Sequence, residues 1–318
     1  MPSAHSMQDT AARVQRPKTA RSPTADDVRA AFRGPPQRWL RAGAHRVAHR
    51  AFGQGPDVVF VHGWPLTSAT FRNVVPALAD RFTCHLVDLP GSGDTTSDSG
   101  GPIGFDAAPA ALRGAIDALG LARYALVAHD SGGLVARLVA ADDPRVAALV
   151  LGNTELPSYV PAVVRQLLVV TRLPGGADVV RFAMKRRAVR RSPLGYRGCF
   201  DDVGFIDGDF HELLVAPLLA SKEAWGRQID LLRSFDLALA DRLAPLHARI
   251  KAPVKLVWGE DDPIFPIERA RRMVGQFGGG ATLDVIPRGR AFVHEEQPEV
   301  FAARAASFLE ALPRRESS

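Results

Sequence analysis

The sequence is poor in cysteine and contains no long apolar run. Cys84 and Cys199 are its only cysteines in 318 residues, so no disulfide framework is expected. No stretch of about 18 residues is both apolar and free of charge, which predicts no membrane-spanning helix. The first residues also lack the apolar core of a secretory signal. These absences favour a cytoplasmic protein.

The charge balance and the absence of ligand-binding motifs argue against nucleic-acid-binding and cofactor-dependent proteins. The 40 Lys and Arg residues exceed the 34 Asp and Glu residues only slightly, for a net charge of +6. A basic balance can indicate nucleic-acid binding, but no DNA- or RNA-binding motif accompanies it here. Metal-ligand clusters and phosphate-binding glycine loops are missing, so we predict no cofactor. We expect a small-molecule substrate, with neither nucleic acid nor membrane as partner; the oligomeric state stays open.

Apolar runs alternate with amphipathic segments from residue 37 onward. This alternation predicts an α/β fold, with a mostly parallel sheet and helices on both of its faces. Strands are expected at residues 39–47, 48–52, 57–62, 82–89, 124–128, 146–151, 254–258 and 282–286. Helices are expected at residues 71–78, 107–119, 133–141, 266–277 and 298–312.

Two segments interrupt this pattern. Residues 1–36 resemble a flexible, basic leader, with one or two helical turns near residues 24–32 after a possible N-cap at Thr24. Residues 155–235 are rich in helical spacing and punctuating prolines but hold no convincing strand. We interpret them as a helical cap inserted into a core formed by residues 37–154 and 236–318.

The strongest chemical signal is the segment Ala128-His129-Asp130-Ser131-Gly132, where a strand runs directly into a helix. Small residues two positions before and after the central residue permit such a tight turn. Asp130 satisfies this rule, whereas centring the turn on Ser131 would place bulky His129 at a small position. We therefore expect Asp130, at a helix N-terminus, to be the nucleophile.

Two other segments complete the predicted site. After the strand at residues 57–62 comes His62-Gly63-Trp64-Pro65, and the backbone N–H groups of Trp64 and Ser131 are the expected oxyanion donors. The Trp64 side chain could also line the substrate pocket. Asp262 follows a late strand, where a carboxylate can orient a catalytic histidine.

From about residue 38 to 312 the chain resembles the aspartate-nucleophile branch of the α/β-hydrolase superfamily, which includes epoxide hydrolases, haloalkane dehalogenases and haloacetate dehalogenases. The resemblance implies an α/β-hydrolase fold with a helical cap. It further implies an Asp130 carboxylate that attacks carbon to form an alkyl ester, which a histidine-activated water then hydrolyses. Its motifs are residues 62–65 (HGWP), 88–93 (DLPGSG), 129–133 (HDSGG), 258–262 (WGEDD) and 292–298 (FVHEEQP).

The chain departs from the family at the catalytic histidine. Registering the family pattern on Phe292 and on the two following glutamates puts Ala291 at that position, and alanine cannot transfer a proton. One explanation is an inactivating replacement of a native histidine, which the retained Asp130 and Asp262 favour. The others are natural loss, with His294 or no residue taking over, and a non-catalytic ligand-binding derivative of the fold.

The reaction subclass also depends on departures from the family. The tryptophan that follows the nucleophile in many dehalogenases, and the arginine of fluoroacetate-type enzymes, are both replaced by Ser131. Epoxide hydrolases use cap tyrosines to protonate the epoxide oxygen, and Tyr159 and Tyr196 both fall in the predicted cap. These features favour an epoxide hydrolase over a haloalkane or haloacid dehalogenase. Glu155 occupies the other position at which this branch can place its acid.

Overall fold

The computed structural model describes residues 22–98 and 100–312 and contains one nine-stranded sheet. Its spatial order is β1-β2-β4-β3-β6-β7-β8-β9, with β5 paired to β2. The pairs that involve β2 are antiparallel, and all others are parallel. The strands are β1 (Arg38–Ala42), β2 (His45–Phe52), β3 (Asp57–Val61), β4 (Thr83–Val87), β5 (Thr96–Ser97), β6 (Tyr124–His129), β7 (Val146–Gly152), β8 (Val254–Gly259) and β9 (Ala281–Ile286).

Helices cover the sheet and fill the interval between β7 and β8. No helix within residues 22–98 and 100–312 is long and apolar enough to cross a membrane. The helices are α1 (Ala25–Arg33), α2 (Ala108–Leu119), α3 (Ser131–Ala140), α4 (Ala162–Arg172), α5 (Gly176–Met184), α6 (Arg187–Arg190), α7 (Ala216–Ala220), α8 (Lys222–Arg233), α9 (Leu239–Arg249), α10 (Ile267–Met273), α11 (Val293–Glu296) and α12 (Pro298–Glu310).

The central strands are apolar on both faces, because each face is covered by helices. Leu126 and Ala128 of β6 pack on the side of α2, α3 and α10, whereas Ala125 and Val127 pack on the side of α1 and α12. This continuous burial is typical of parallel strands. The predicted α/β class, mostly parallel sheet and two helical layers are confirmed.

Several predicted elements need correction. The first two strands are separated at Gly43, whose φ of 58° suits a hairpin turn, and not between residues 47 and 48. The helix expected at residues 71–78 is a pair of short 3₁₀ turns, Ser68–Phe71 and Val75–Ala77, the second of which contains Pro76. Helix α9 and the two-residue strand β5 were not predicted.

The predicted leader is folded in its later part. Residues 1–21 lie outside the described residues, but α1 is a nine-residue helix in which Thr24 accepts a hydrogen bond from the Asp27 N–H. Val28 is fully buried against the sheet, and the buried Arg50 donates to the carbonyl oxygens of Ala31 and Gly34. The helical turns expected after Thr24 are therefore present, and they pack against the sheet; the assignment of residues 1–36 to a separate leader remains a prediction.

Helices α4 to α8 follow β7 and are joined by 3₁₀ turns and a π-helical turn at His211–Val215. Buried side chains of these helices and of the turns between them, among them Phe200, Phe210 and Trp225, pack with Phe292 from the loop after β9. These helices thus lie above the carboxyl ends of the central strands. The division of the chain into a core and a cap, with boundaries at residues 155 and 235, remains a prediction.

Candidate active site

Asp130 occupies a strained turn between β6 and α3. Its backbone has φ 50° and ψ −139°, a conformation that non-glycine residues adopt only when their surroundings enforce it. The Asp130 N–H donates to the Asn153 carbonyl at 2.9 Å, and the Thr154 hydroxyl oxygen lies 2.8 Å from the Asp130 carbonyl oxygen. A Cβ atom at Gly132 would lie 2.3 Å from the His62 carbonyl oxygen, which is why that position must be small.

The loop after β3 lies directly against Asp130. A Cβ atom at Gly63 would be 2.4 Å from the Asp130 Cβ and 2.9 Å from its Oδ2. The Trp64 N–H, a predicted oxyanion donor, donates to the Ser131 hydroxyl at 2.9 Å. The Ser131 N–H hydrogen bonds to the Asp130 carboxylate and lowers its pKa. His62 braces this loop: its Nε2 accepts from the Leu89 N–H at 2.9 Å.

The Asp130 carboxylate is buried beside other acids. Burial raises its pKa well above the ordinary value, and the nearby charges of Glu155 and Asp262 raise the pKa further. Because only the Ser131 N–H opposes these effects, the acid form of Asp130 is favoured over a wider pH range than in water.

Glu155 stands in the same cavity and is held by a fully buried arginine. Its carboxylate accepts from the Thr154 hydroxyl at 2.7 Å and lies 3.4 Å from the Arg137 guanidinium. Burial raises the Glu155 pKa, whereas the Arg137 charge lowers it. Arg137 also donates to the Gly133 carbonyl. The Arg137 contact therefore fixes the position of the Glu155 carboxylate close to Asp130.

Asp262 lies at the end of β8 with both carboxylate oxygens occupied. The Asn153 side-chain amide donates to Oδ2 at 2.6 Å, and the N–H groups of Ile264 and Phe265 donate to Oδ1 at 2.7 and 3.1 Å. Burial raises its pKa to about 6, although these hydrogen bonds oppose the shift. Asp262 is thus a rigidly held acid.

Ala291 lines the cavity, and within residues 22–98 and 100–312 no histidine lines it in place of the one that the family pattern expects there. The neighbouring His129 donates from Nε2 to the Ala291 carbonyl at 2.7 Å and does not line the cavity. His294, the candidate to replace the catalytic histidine, is fully buried away from the cavity, and its Nε2 lies 2.7 Å from the Thr70 hydroxyl. Burial lowers its pKa well below the ordinary value. The structure does not bring His294 to the cavity.

A cavity of about 170 Å³ lies between the carboxyl ends of the strands and the helices above them. It is large enough for a small organic molecule, and most of its lining is apolar. Tyr159 and Tyr196 both line it, the former half-buried beneath Arg269 and the latter packed on Phe292. Its walls include Trp64, Phe105, Asp130, Ser131, Leu134, Glu155, Cys199, Trp225, Phe235, Ala291 and Phe292.

The structure adds residues that the sequence analysis missed. Asn153 and Thr154 directly follow β7, next to β6, so their position after a central strand was a usable signal. Arg137 carried no such signal, because its acceptors come from separate parts of the chain. Within the described residues, no group of three or more His, Cys, Asp or Glu side chains could hold a metal ion.

Comparisons with known proteins identify the family. A model described as the alpha/beta hydrolase family matches residues 58–304. The chain is 28% identical to haloalkane dehalogenase 2 of Mycobacterium tuberculosis over 276 residues, 84% of this chain and 92% of the relative. It is 30% identical to a pimeloyl-[acyl-carrier protein] methyl ester esterase of Chromobacterium violaceum over 240 residues, 69% of this chain and 81% of the relative.

A shorter match points to a third activity. The soluble epoxide hydrolase of Corynebacterium sp. strain C12 is 37% identical over 101 residues, 31% of this chain and 34% of the relative. The names of these three relatives describe different hydrolytic reactions, so they support a hydrolase without selecting its substrate. On the extent of the family match, this chain belongs to the alpha/beta hydrolase family.

Proposed function

We propose that this protein attacks an uncharged carbon electrophile with Asp130 and forms an alkyl ester, and that its preferred electrophile is an epoxide. The observation that carries the proposal is the strained turn at Asp130, which holds a carboxylate at the wall of an apolar cavity. An esterase-like reaction through Ser131 is less well supported, because Ser131 has helical geometry in α3 and its hydroxyl is bonded to the Trp64 N–H.

The proposed step opens the epoxide ring. An Asp130 carboxylate oxygen bonds to a ring carbon while the bond between that carbon and the ring oxygen breaks. The electron pair of the broken bond stays on the oxygen, which takes a proton from the phenol of Tyr159 or Tyr196. The product is a hydroxyalkyl ester of Asp130, and the phenolate regains its proton from solvent.

The charge in the cavity limits the substrate class. Asp130 and Glu155 are the ionisable acids among the described lining residues, and no Lys, Arg or His lines the cavity with them. A substrate carboxylate would find no cation in this lining to pair with and would be repelled by either acid in its ionised form, so haloacetates are disfavoured. An uncharged epoxide or haloalkane avoids this repulsion.

An epoxide is a better candidate substrate than a haloalkane because the Trp64 indole N–H is already hydrogen bonded and cannot hold a halide ion. A departing halide needs N–H donors that point into the cavity, but the Trp64 indole N–H donates to the Gln228 carbonyl at 2.8 Å. The dehalogenase remains the second candidate, since the haloalkane dehalogenase relative matches 84% of this chain.

We further propose that Ala291 stops the reaction at the ester. Asp262 is held in place by the Asn153 amide, but no histidine of the described residues lines the cavity to accept a proton from water. Without that base the ester should persist. A persistent ester is the result expected if Ala291 is an inactivating replacement of a native histidine.

Intact-protein mass spectrometry tests the proposal with a panel of epoxides and 1-haloalkanes. An epoxide should add its whole mass to the protein, whereas a haloalkane would add only its alkyl group and release halide. Asp130→Asn is the control and should show no adduct. Absence of an adduct with every compound would refute the proposal and leave the ligand-binding derivative, and adducts only with halide release would select the dehalogenase.

A further inference from the structure

Exposed apolar side chains are concentrated in one segment of the chain. Seven of the eleven large apolar side chains that are exposed in the described residues fall within residues 162–194, which span α4 to α6 and the following turn. Isolated apolar residues on a surface are ordinary, but a concentrated group marks an interaction site. The seven, here called the apolar face, are Val163, Val169, Val170, Leu173, Val179, Phe182 and Leu194.

The same segment has a net positive charge as large as that of the whole chain. Residues 162–194 contain eight Lys and Arg residues and one acid, Asp178, so the segment has a formal charge of +7 while the whole chain has +6. Some of these cations are engaged: Arg187 and Arg191 pair with Asp207, and Arg190 is buried.

Other cations in the segment remain available. Arg165, Arg172 and Lys185 are exposed and have no carboxylate partner within residues 22–98 and 100–312. The Arg186 guanidinium lies over the ring of Phe182 at 4.0 Å, so charge and apolar surface are in direct contact. The segment therefore offers several unneutralised cations beside exposed apolar groups.

This surface is continuous with the wall of the reactive cavity. Val163 and Leu194 belong to the apolar face, with exposed fractions of 37% and 84%, and they also line the cavity that contains Asp130. Val164 and Leu167 of α4 line it as well. A lipophilic molecule could therefore pass from the apolar face into the cavity along apolar side chains.

We propose that the apolar face and its cations dock on an anionic lipid bilayer, which would replace the expectation from the sequence that no membrane is a partner. Apolar side chains gain free energy in the headgroup region, and Lys and Arg side chains are attracted to anionic lipids. A second copy of this chain is a poor occupant, because a symmetric contact would place two segments of charge +7 against each other. Docking would bring the cavity mouth to the phase in which uncharged, lipophilic substrates accumulate.

Flotation with lipid vesicles tests this proposal without requiring turnover. The protein should float with vesicles of phosphatidylcholine and phosphatidylglycerol, bind much less to phosphatidylcholine alone, and lose affinity as salt increases. The combined variant Arg165→Gln, Arg172→Gln and Lys185→Gln should bind roughly a hundredfold more weakly, since each cation near a membrane contributes about fivefold. Val169→Gln, Val179→Gln and Phe182→Gln together should also weaken binding.

A matched control distinguishes local docking from general charge. Lys251→Gln, Arg272→Gln and Arg304→Gln remove the same charge from exposed positions outside the segment and should leave binding unchanged. Glutamine keeps helix propensity at those of these sites that lie within helices, and thermal melting should verify folding of every variant. The proposal is overturned if anionic vesicles are not bound, if the control triple loses as much affinity, or if the apolar triple instead abolishes self-association or capture of an acidic protein.

Discussion

Gly63→Ala probes the position of Asp130 without touching its chemistry. The new methyl group would lie 2.4 Å from the Asp130 Cβ and 2.9 Å from Oδ2, about 1 Å inside ordinary carbon contact distances. The carboxylate must therefore move. Because a displacement of about 1 Å from productive geometry costs on the order of a hundredfold in rate, adduct formation should slow by about that factor. Overpacking should also lower the free energy of unfolding by about 1–3 kcal/mol.

The assay is the rate at which the epoxide adduct appears by intact-protein mass spectrometry, with thermal melting alongside. Gly226→Ala in α8 is the control, because a Cβ atom there meets nothing within 4 Å and alanine favours a helix. It should react at the unaltered rate and melt at the same or a higher temperature. If Gly63→Ala reacted as fast as the unaltered protein, Asp130 would not be the reacting group.

Three further changes test the surrounding groups. Ala291→His should make the adduct transient and give turnover, measured as diol release, whereas Ala291→Leu fills space without a base and should leave the adduct stable. Glu155→Gln removes a charge that raises the pKa of Asp130, so the pH midpoint of adduct formation should fall; an unchanged or higher midpoint would contradict that coupling. Asp262 has an ordinary pKa of 3.8 and a folded-state pKa of about 6, so the folded protein favours the acid form of this side chain. The stability that this preference contributes is lost as pH rises through about 6. In Asp262→Asn, denaturant unfolding should show that loss reduced by about 3 kcal/mol between about pH 4 and 7, and an unreduced loss would count against the assignment.

The central turn was predictable because its requirements are local. A strand, a helix and a small residue at position 132 are visible in the sequence, and the structure shows the reason: a Cβ there would strike the His62 carbonyl. The strands were predictable for a similar reason, since burial on both faces leaves continuous apolar runs.

Elements that depend on distant contacts were missed or misassigned. Four of the nine residues of α1 are charged, and its packing could not be predicted because its single fully buried residue, Val28, has meaning only with the sheet beside it. Helix α9 contains Pro245 in its interior, which disguises its helical pattern. Strand β5 is too short to show any periodicity.

Some features of the candidate site could be predicted from the sequence, and others could not. Asp130, Asp262 and Glu155 could be located because each follows a predicted strand, and the structure brings Asp130 and Glu155 into one cavity. The occupied donor at Trp64 could not be predicted, because it depends on where the Ser131 hydroxyl points. Nor could the sequence show that His294 faces away from the cavity, since its partner Thr70 is distant in the chain.

The most direct test of the account is to locate the covalent adduct. After exposure to a reactive epoxide, the protein should be digested and the modified peptide sequenced by tandem mass spectrometry. The account predicts one added epoxide mass on the Asp130 side chain, released by mild base as expected for an ester. An adduct on Ser131, on Cys199 or on no residue of the cavity would contradict it.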